Sequence, residues 1–134
     1  MPVAGIRAVD TNVLVRLLKG DNPRQYAVAK ALFDSESIWI AKTVLLETAW
    51  VLESVYGFTD KEIHQAFIQL LGLKNVRCED ESGVGYALAL FAQGVDIADA
   101  MHVSSRPGGA AFLTFDRRLV RHAQKAGATK IGEL

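Results

Sequence analysis

Four acidic residues stand where carboxylates could do chemistry, next to apolar segments rather than within polar loops. The four are Asp10, Glu47, Asp99 and Asp116. An unpaired charge is very costly to remove from water, so acids beside apolar segments need a partner. A chain that directs several carboxylates to one place is expected to hold a divalent metal ion there.

Apolar, strand-like runs alternate with segments of helical periodicity, a pattern typical of a parallel α/β sheet. We predict a three-layer α/β/α fold with a central, mostly parallel sheet of four to five strands. Residues 1–134 are expected to form a single domain. The predicted strands are 6–9, 37–41, 76–78, 110–114 and 129–131, and 110–114 is expected to be buried. The predicted helices are 13–18, 23–33, 43–56, 59–71, 80–91, 96–105 and 116–126. A capping box of Thr59 and Glu62 is expected to open the helix at 59–71.

This alternation predicts where the four acids lie. Asp10 and Asp116 come just after predicted strands, and parallel α/β sheets place ligands beyond the carboxyl ends of their strands. Glu47 lies early on the helix after the second strand, and Asp99 lies in the first turn of its helix. We therefore expect all four side chains at the same rim.

Each acid also has a purely structural interpretation. Asp10, Asp96 and Asp116 could cap helices, since Asp oxygens accept hydrogen bonds from free backbone N–H groups. Asp99 could face the helix dipole, and Glu47 could be an ordinary surface residue. For Asp96 the capping interpretation is preferred, although it shares a helix face with Asp99. For the other four, a common role is favoured over four unrelated ones.

Composition narrows the choice of partners. Lys+Arg and Asp+Glu number 15 each, so bulk charge does not indicate a nucleic-acid-binding protein. The stretch from Arg117 to Lys130 carries five basic residues and no acidic one, and a solvated helix face is preferred there over a phosphate track. The single cysteine, Cys78, excludes an intrachain disulfide. No apolar run is long enough for a membrane helix, so we expect no membrane association and a cytoplasmic location.

The order of four short motifs resembles the PIN domain, specifically the VapC-type toxin ribonucleases of toxin–antitoxin pairs. The motifs are A-V-D-T-N at 8–12, T-x-x-x-E at 43–47, D-I-A-D-A-M-H at 96–102 and T-F-D at 114–116. The resemblance covers nearly the whole chain. It implies a metal-dependent endoribonuclease that holds Mg²⁺ or Mn²⁺ on Asp10, Glu47, Asp99 and Asp116. It also implies supporting roles for Thr11, Asn12, Asp96 and Thr114, a small antitoxin covering the active groove, and a homodimer.

The acid set accounts for such chemistry physically. Two carboxylates 5 Å apart repel by roughly 3 kcal/mol at an effective dielectric near 20, so four in one pocket need cations. Mg²⁺ and Mn²⁺ favour carboxylate and water oxygens, and a bound ion acidifies water and stabilises phosphate charge. RNA hydrolysis by water then needs no Ser or Cys nucleophile. Arg16, Lys42 and Arg117 are expected to contact flanking phosphates because they are near the acids in sequence.

Three other functions fit parts of the same pattern. A phospho-accepting receiver needs an aspartate closing its third strand, where this chain has Cys78-Glu79. A haloacid-dehalogenase-type phosphatase needs a second Asp two residues after the first, and Asn12 occupies that place. A non-catalytic module with the same fold, which binds RNA or protein, remains the alternative.

Overall fold

The computed structural model describes residues 5–134, which belong to two compact units divided after Glu79. The first unit contains β1 (Ile6–Ala8), α1 (Thr11–Lys19), α2 (Pro23–Ser35), β2 (Ser37–Ile40), α3 (Lys42–Ser54), α4 (Asp60–Leu71) and β3 (Val76–Cys78). The second contains α5 (Glu81–Ala92), α6 (Ile97–Ser104), β4 (Phe112–Thr114), α7 (Arg117–Lys125) and β5 (Ile131–Glu133).

In the first unit, β2 pairs in parallel with β1 on one side and β3 on the other. Ala8 lies opposite Trp39, and Ile40 lies opposite Cys78. Because the strands are parallel, their carboxyl ends lie at one edge of the sheet. Asp10 follows β1 at that edge, and α3 begins two residues after β2 ends.

Local sequence signals set the helix boundaries of the first unit. Pro23 occupies the first turn of α2, where its missing N–H costs little, and the Asn22 side chain caps that helix. Thr59 and Glu62 form a reciprocal capping box at α4, as the sequence predicts. The largest fully buried side chains of this unit are Leu14, Ile38, Ile40, Leu45, Leu52, Ile63 and Phe67. Leu14 of α1 and Leu45 and Leu52 of α3 belong to this core, so the core holds α1, which Asp10 caps, and α3, which carries Glu47.

In the second unit, β4 and β5 form a two-stranded parallel ladder, and α5 packs against α6. Leu113 lies opposite Gly132, and a Cβ at Gly132 would come within 3.1 Å of the Leu113 side chain. The buried interior includes Val84, Leu90, Val95, Ala100, Met101 and Val103. This interior holds α6, which carries Asp99.

The predicted α/β fold with parallel strands is confirmed. Of the four to five strands expected in one sheet, β1–β3 form a parallel ladder in the first unit and β4–β5 form a parallel ladder in the second. The sequence pattern identified the strands but could not identify their partners. Whether 1–134 acts as one domain stays a prediction.

The last two strands differ from the prediction. The fifth was expected at 129–131 but runs over Ile131–Glu133. Arg106 donates hydrogen bonds to the Thr129 and Lys130 carbonyls, and Lys130 has a left-handed φ of 54°, so extended strand geometry begins only at Ile131. The fourth strand was expected to be buried, but Leu113 is 56% exposed. Within residues 5–134, helices of the length and apolarity that a bilayer crossing requires are absent.

Candidate metal centre

Asp10 links β1 to α1. Its backbone is extended, with φ −100° and ψ −178°, so the helix starts at the next residue. The Val13 N–H donates to Asp10 Oδ1 at 3.3 Å, which satisfies one of the free N–H groups of the first turn. The capping interpretation of Asp10 is therefore realised, and it occupies one carboxylate oxygen.

Thr11 connects Asp10's helix to the second acid. The Thr11 hydroxyl donates a short hydrogen bond to Glu47 Oε1 across 36 positions of sequence. Thr11 is 8% exposed, whereas Glu47 is exposed on α3 although its neighbours in the sequence are apolar. Glu47 is thus held from one side by a buried hydroxyl. Asn12 is exposed and lines a depression of about 340 Å³ between α1 and α2.

Asp96 and Asp99 lie together at the start of α6. Asp96 Oδ2 accepts hydrogen bonds from the Ala98 N–H at 3.1 Å and from the Asp99 N–H at 3.3 Å. The preferred interpretation of Asp96 as a helix cap is realised. This cap brings the negative charge of Asp96 to the first turn, where Asp99 projects from a partly buried position.

The Asp99 carboxyl is electrostatically strained. Burial raises its pKa above the ordinary value, and the charges of Asp96 and Asp116 raise it further. His102 offsets part of this increase in pKa. Asp99 is therefore close enough to two other acids to be affected by their charges, and a cation at this place would relieve that repulsion.

Asp116 follows β4 and caps α7. The Leu119 N–H donates to Asp116 Oδ1 at 3.0 Å, and the Asp116 N–H donates to Thr114 Oγ1 at 3.0 Å. Thr114 therefore fixes the backbone at Asp116 and makes its bond to the N–H, not to the carboxylate. The supporting role expected for Thr114 has a structural counterpart in this bond.

The three cations expected near phosphates lie in different surroundings. Arg16 donates from Nε to Gln25 Oε1 at 2.6 Å and pairs with Asp21 Oδ1 at 3.2 Å. Arg117 pairs with Glu133 Oε1 at 2.8 Å, with most of its side chain exposed. Exposed pairs of this kind contribute little, so a phosphate can displace them.

Glu79 was not singled out in the sequence but positions the start of α3. The N-cap residue of this helix, Ala41, has no side chain that can accept a hydrogen bond. Glu79 Oε1 accepts one from the Lys42 N–H at 3.0 Å instead. The two residues are 37 positions apart, and no local motif marks such a pair. Lys42 thus lies at the N-terminus of the helix that carries Glu47.

The donor chemistry of these acids fits Mg²⁺ or Mn²⁺. Within either unit, no group of three or more His, Cys, Asp or Glu side chains among residues 5–134 is gathered closely enough to form a metal site by itself. Mg²⁺ usually keeps several waters and binds proteins through one or two carboxylates, so smaller groups suffice. The repulsion on Asp99 is the observation that favours a cation.

The comparisons with known proteins agree with the motifs. The family model described as PIN domain matches residues 7–125, a stretch that contains all four candidate acids. Neither a search of curated proteins nor a search of solved structures found a match to the chain.

Proposed function

The chain belongs to the PIN domain family, whose members are generally metal-dependent nucleases, and from this premise we propose that it is an endoribonuclease. The proposed reaction is hydrolysis of RNA phosphodiester bonds with Mg²⁺ or Mn²⁺. The metal ligands would be Asp10, Glu47, Asp99 and Asp116. The observation that carries the proposal is that the PIN domain model spans all four acids, and the exposure of Asp99 to the charges of Asp96 and Asp116 supports it.

The proposed roles follow from the contacts within each unit. Asp10 and Asp116 present a carboxylate whose position is fixed by a helix N-terminus. Thr11 orients Glu47 through its hydroxyl. A bound Mg²⁺ or Mn²⁺ would supply an acidified water and stabilise charge on the phosphate. Asp96 and Thr114 act as positioning residues.

Substrate phosphates are assigned to three cations. Arg16 is held by Asp21 and Gln25, so its guanidinium is already ordered before RNA binds. Lys42 starts α3, and Arg117 starts α7. In this proposal each of the three contacts the RNA backbone and none takes part in bond breaking.

The direct test is cleavage of RNA by the purified protein with and without Mn²⁺. Glu47→Gln should abolish cleavage while keeping the side chain's size and its capacity to accept a hydrogen bond from Thr11. Glu53→Gln is the matched control, because Glu53 is exposed on the same helix, six residues later. Equal loss in both variants, or metal-independent cleavage, would contradict the assignment.

Binding of Mn²⁺ gives a second readout that does not depend on activity. Mn²⁺ should raise the melting temperature of the wild type and of Glu53→Gln, and raise it less in Asp99→Asn. RNA binding that survives all the acid substitutions, with no cleavage by the wild type, would instead identify a non-catalytic RNA-binding module.

The biological role proposed is that of the toxin in a toxin–antitoxin pair. A homodimer acting on cytoplasmic RNA and held inactive by a small antitoxin would account for the resemblance to VapC-type proteins. Expression of the wild type should stop growth of a bacterial host, and Asp10→Asn should not. Light scattering of the purified protein measures whether it is a dimer, and a monomer would remove that part of the proposal.

A further inference from the structure

Phe115 is the most exposed large hydrophobic residue among residues 5–134, with 81% of its surface accessible. It lies between Thr114 and Asp116, immediately after β4. An aromatic ring in water lacks the stabilisation that burial of its apolar surface would give it. Its exposure beside a proposed metal ligand therefore needs an explanation.

Helix capping does not provide that explanation. Asp116 is the N-cap of α7, so Phe115 occupies the position before the cap. A hydrophobic residue there often packs against the fourth helical residue, here Val120, as a staple. Val120 is 9% exposed, whereas Phe115 is almost fully exposed, so the ring does not cover it as a staple would.

The helix that follows carries a cationic face. At 100° per residue, Arg117, Arg118, Arg121 and Lys125 lie within an arc of about 100°. The buried residues Leu119, Val120 and Ala123 lie on the other side of the helix. Arg117 pairs with Glu133, but the ion pairs within residues 5–134 do not use Arg118, Arg121 or Lys125. Three of the four cations thus remain available to a ligand.

We propose that Phe115 and the cationic face of α7 bind a single-stranded stretch of nucleic acid. The Phe115 ring would stack on an unpaired base, and the side chains of Arg118, Arg121 and Lys125 would contact the phosphates leading away from it. Stacking aromatics next to cations are the common means of binding single strands. The proposal rests on the nuclease function and assigns the surface by which this chain would hold an unpaired strand.

Charge and ring type favour a nucleic acid over a protein at this surface. From Cα to Cα, Arg117 and Lys125 are about 12 Å apart along the helix, and this face carries no acidic residue. A polyanion matches such a face better than a mixed protein surface does. A protein would use aliphatic contacts equally well, for example the exposed Leu113 and Leu134.

Substitution of the ring distinguishes these two ligands. Binding of oligo(A) of about twelve nucleotides is measured in EDTA, which prevents metal-dependent cleavage. Phe115→Ala and Phe115→Leu should both weaken binding by about 5- to 150-fold, and Phe115→Trp should retain it. The affinity for the same strand within an oligo(A)–oligo(U) duplex should not change in any of the Phe115 variants. Full binding by Phe115→Leu would overturn stacking and indicate an aliphatic, protein-like contact.

The contribution of α7 is measured by salt dependence. Each of Arg118→Ala, Arg121→Ala and Lys125→Ala should reduce the slope of log K against log salt by about 0.7, the value for one phosphate contact with a single strand. Lys61→Ala, which removes an exposed cation on α4, is the control and should leave the slope unchanged. Unchanged slopes in all three α7 variants would overturn the phosphate track.

The outcome for this surface can be separated from the outcome for catalysis. If the wild type cleaves RNA and Phe115→Ala cleaves it with the same KM and kcat, the inference falls and the nuclease stands. If binding depends on Phe115 but no cleavage occurs with Mg²⁺ or Mn²⁺, the nuclease falls and the binding surface stands. The inference expects Phe115→Ala to raise KM and to change kcat little.

Discussion

The Thr11 hydroxyl donates a hydrogen bond to the Glu47 carboxylate and so joins the first residue of α1 to the second turn of α3. Thr11 is buried and Glu47 is exposed, so the donor is packed in the interior while the carboxylate faces solvent. Without this bond, the long Glu side chain would sample several rotamers. Because the bond already orients the Glu47 side chain, metal binding would cost less side-chain entropy.

Thr11→Val tests this bond, because valine keeps the shape and removes the donor. The free energy of unfolding should fall by about 0.5–1.5 kcal/mol, the usual net contribution of one hydrogen bond. Metal affinity should fall by about tenfold or more, as for other groups that orient ligands. Thr11→Ser should retain both, measured by urea unfolding and Mn²⁺ titration. Equal metal affinity in Thr11→Val would show that the bond does not position Glu47.

Asp10 allows capping and catalysis to be separated. Asn caps helices as well as Asp, so Asp10→Asn should keep the stability of the wild type, while Asp10→Ala should lose about 1 kcal/mol. Both should lose at least about 100-fold in cleavage rate, because both lack a charged ligand. Thermal unfolding and single-turnover cleavage give the two readouts. If only Asp10→Ala loses cleavage, in step with its loss of stability, Asp10 acts as a helix cap and not as a metal ligand.

The raised pKa of Asp99 predicts how stability depends on pH without metal. The folded protein holds this proton to higher pH than the unfolded chain does, so stability falls as pH rises from the ordinary value of 3.8 through the folded value. Asp99→Asn should remove this dependence and make the protein more stable than the wild type at pH 7. Below pH 3.8, the free energies of unfolding of the wild type and of Asp99→Asn should approach each other.

Urea unfolding across this pH range, with Glu53→Gln as the control, checks the prediction. Added Mn²⁺ should stabilise the wild type at pH 7 and reduce the advantage of Asp99→Asn. An Asp99→Asn variant less stable than the wild type at pH 7 would mean that the carboxylate has a favourable partner, contrary to the cause given for its pKa.

The network around Arg16 predicts an effect on substrate binding. Asp21 accepts hydrogen bonds from Arg16 and from the Tyr56 hydroxyl. Asp21→Asn removes the charge that compensates Arg16 but keeps groups for both bonds. If Arg16 contacts phosphate, KM for RNA should fall by a factor of about 1.4 to 5, the measured range for exposed ion pairs. Arg16→Ala should raise KM, and no change in either variant would exclude Arg16 from the substrate surface.

Local signals in the sequence predicted most helices and caps. The capping box of Thr59 and Glu62 was predicted and is confirmed, and β3 at Val76–Cys78 has the predicted bounds. Such features depend on residues three or four positions apart, whose physical chemistry can be read directly from the chain. Asp96 as a cap was predicted for the same reason.

Contacts between residues far apart in the sequence could not be predicted from such local signals. The bond from Thr11 to Glu47 and the cap that Glu79 provides at Lys42 join residues 36 and 37 positions apart. Their formation depends on how strands pair and helices pack. The exposure of Phe115 could not be predicted either, because the sequence shows only an aromatic residue before a predicted cap. The joint metal role of Asp10, Glu47, Asp99 and Asp116 stays a prediction.

The caps at Asp10 and Asp116 bear on which ion the protein can select. In each residue Oδ1 already accepts a hydrogen bond from a backbone N–H. An ion bound by both carboxylate oxygens would therefore compete with the helix cap for Oδ1. Ca²⁺, with six to eight ligands, often takes both oxygens of a carboxylate, whereas Mg²⁺, with its near-ideal octahedral geometry, favours one oxygen from each. The N-terminal caps of α1 and α7 would then favour Mg²⁺ over Ca²⁺ at these two carboxylates.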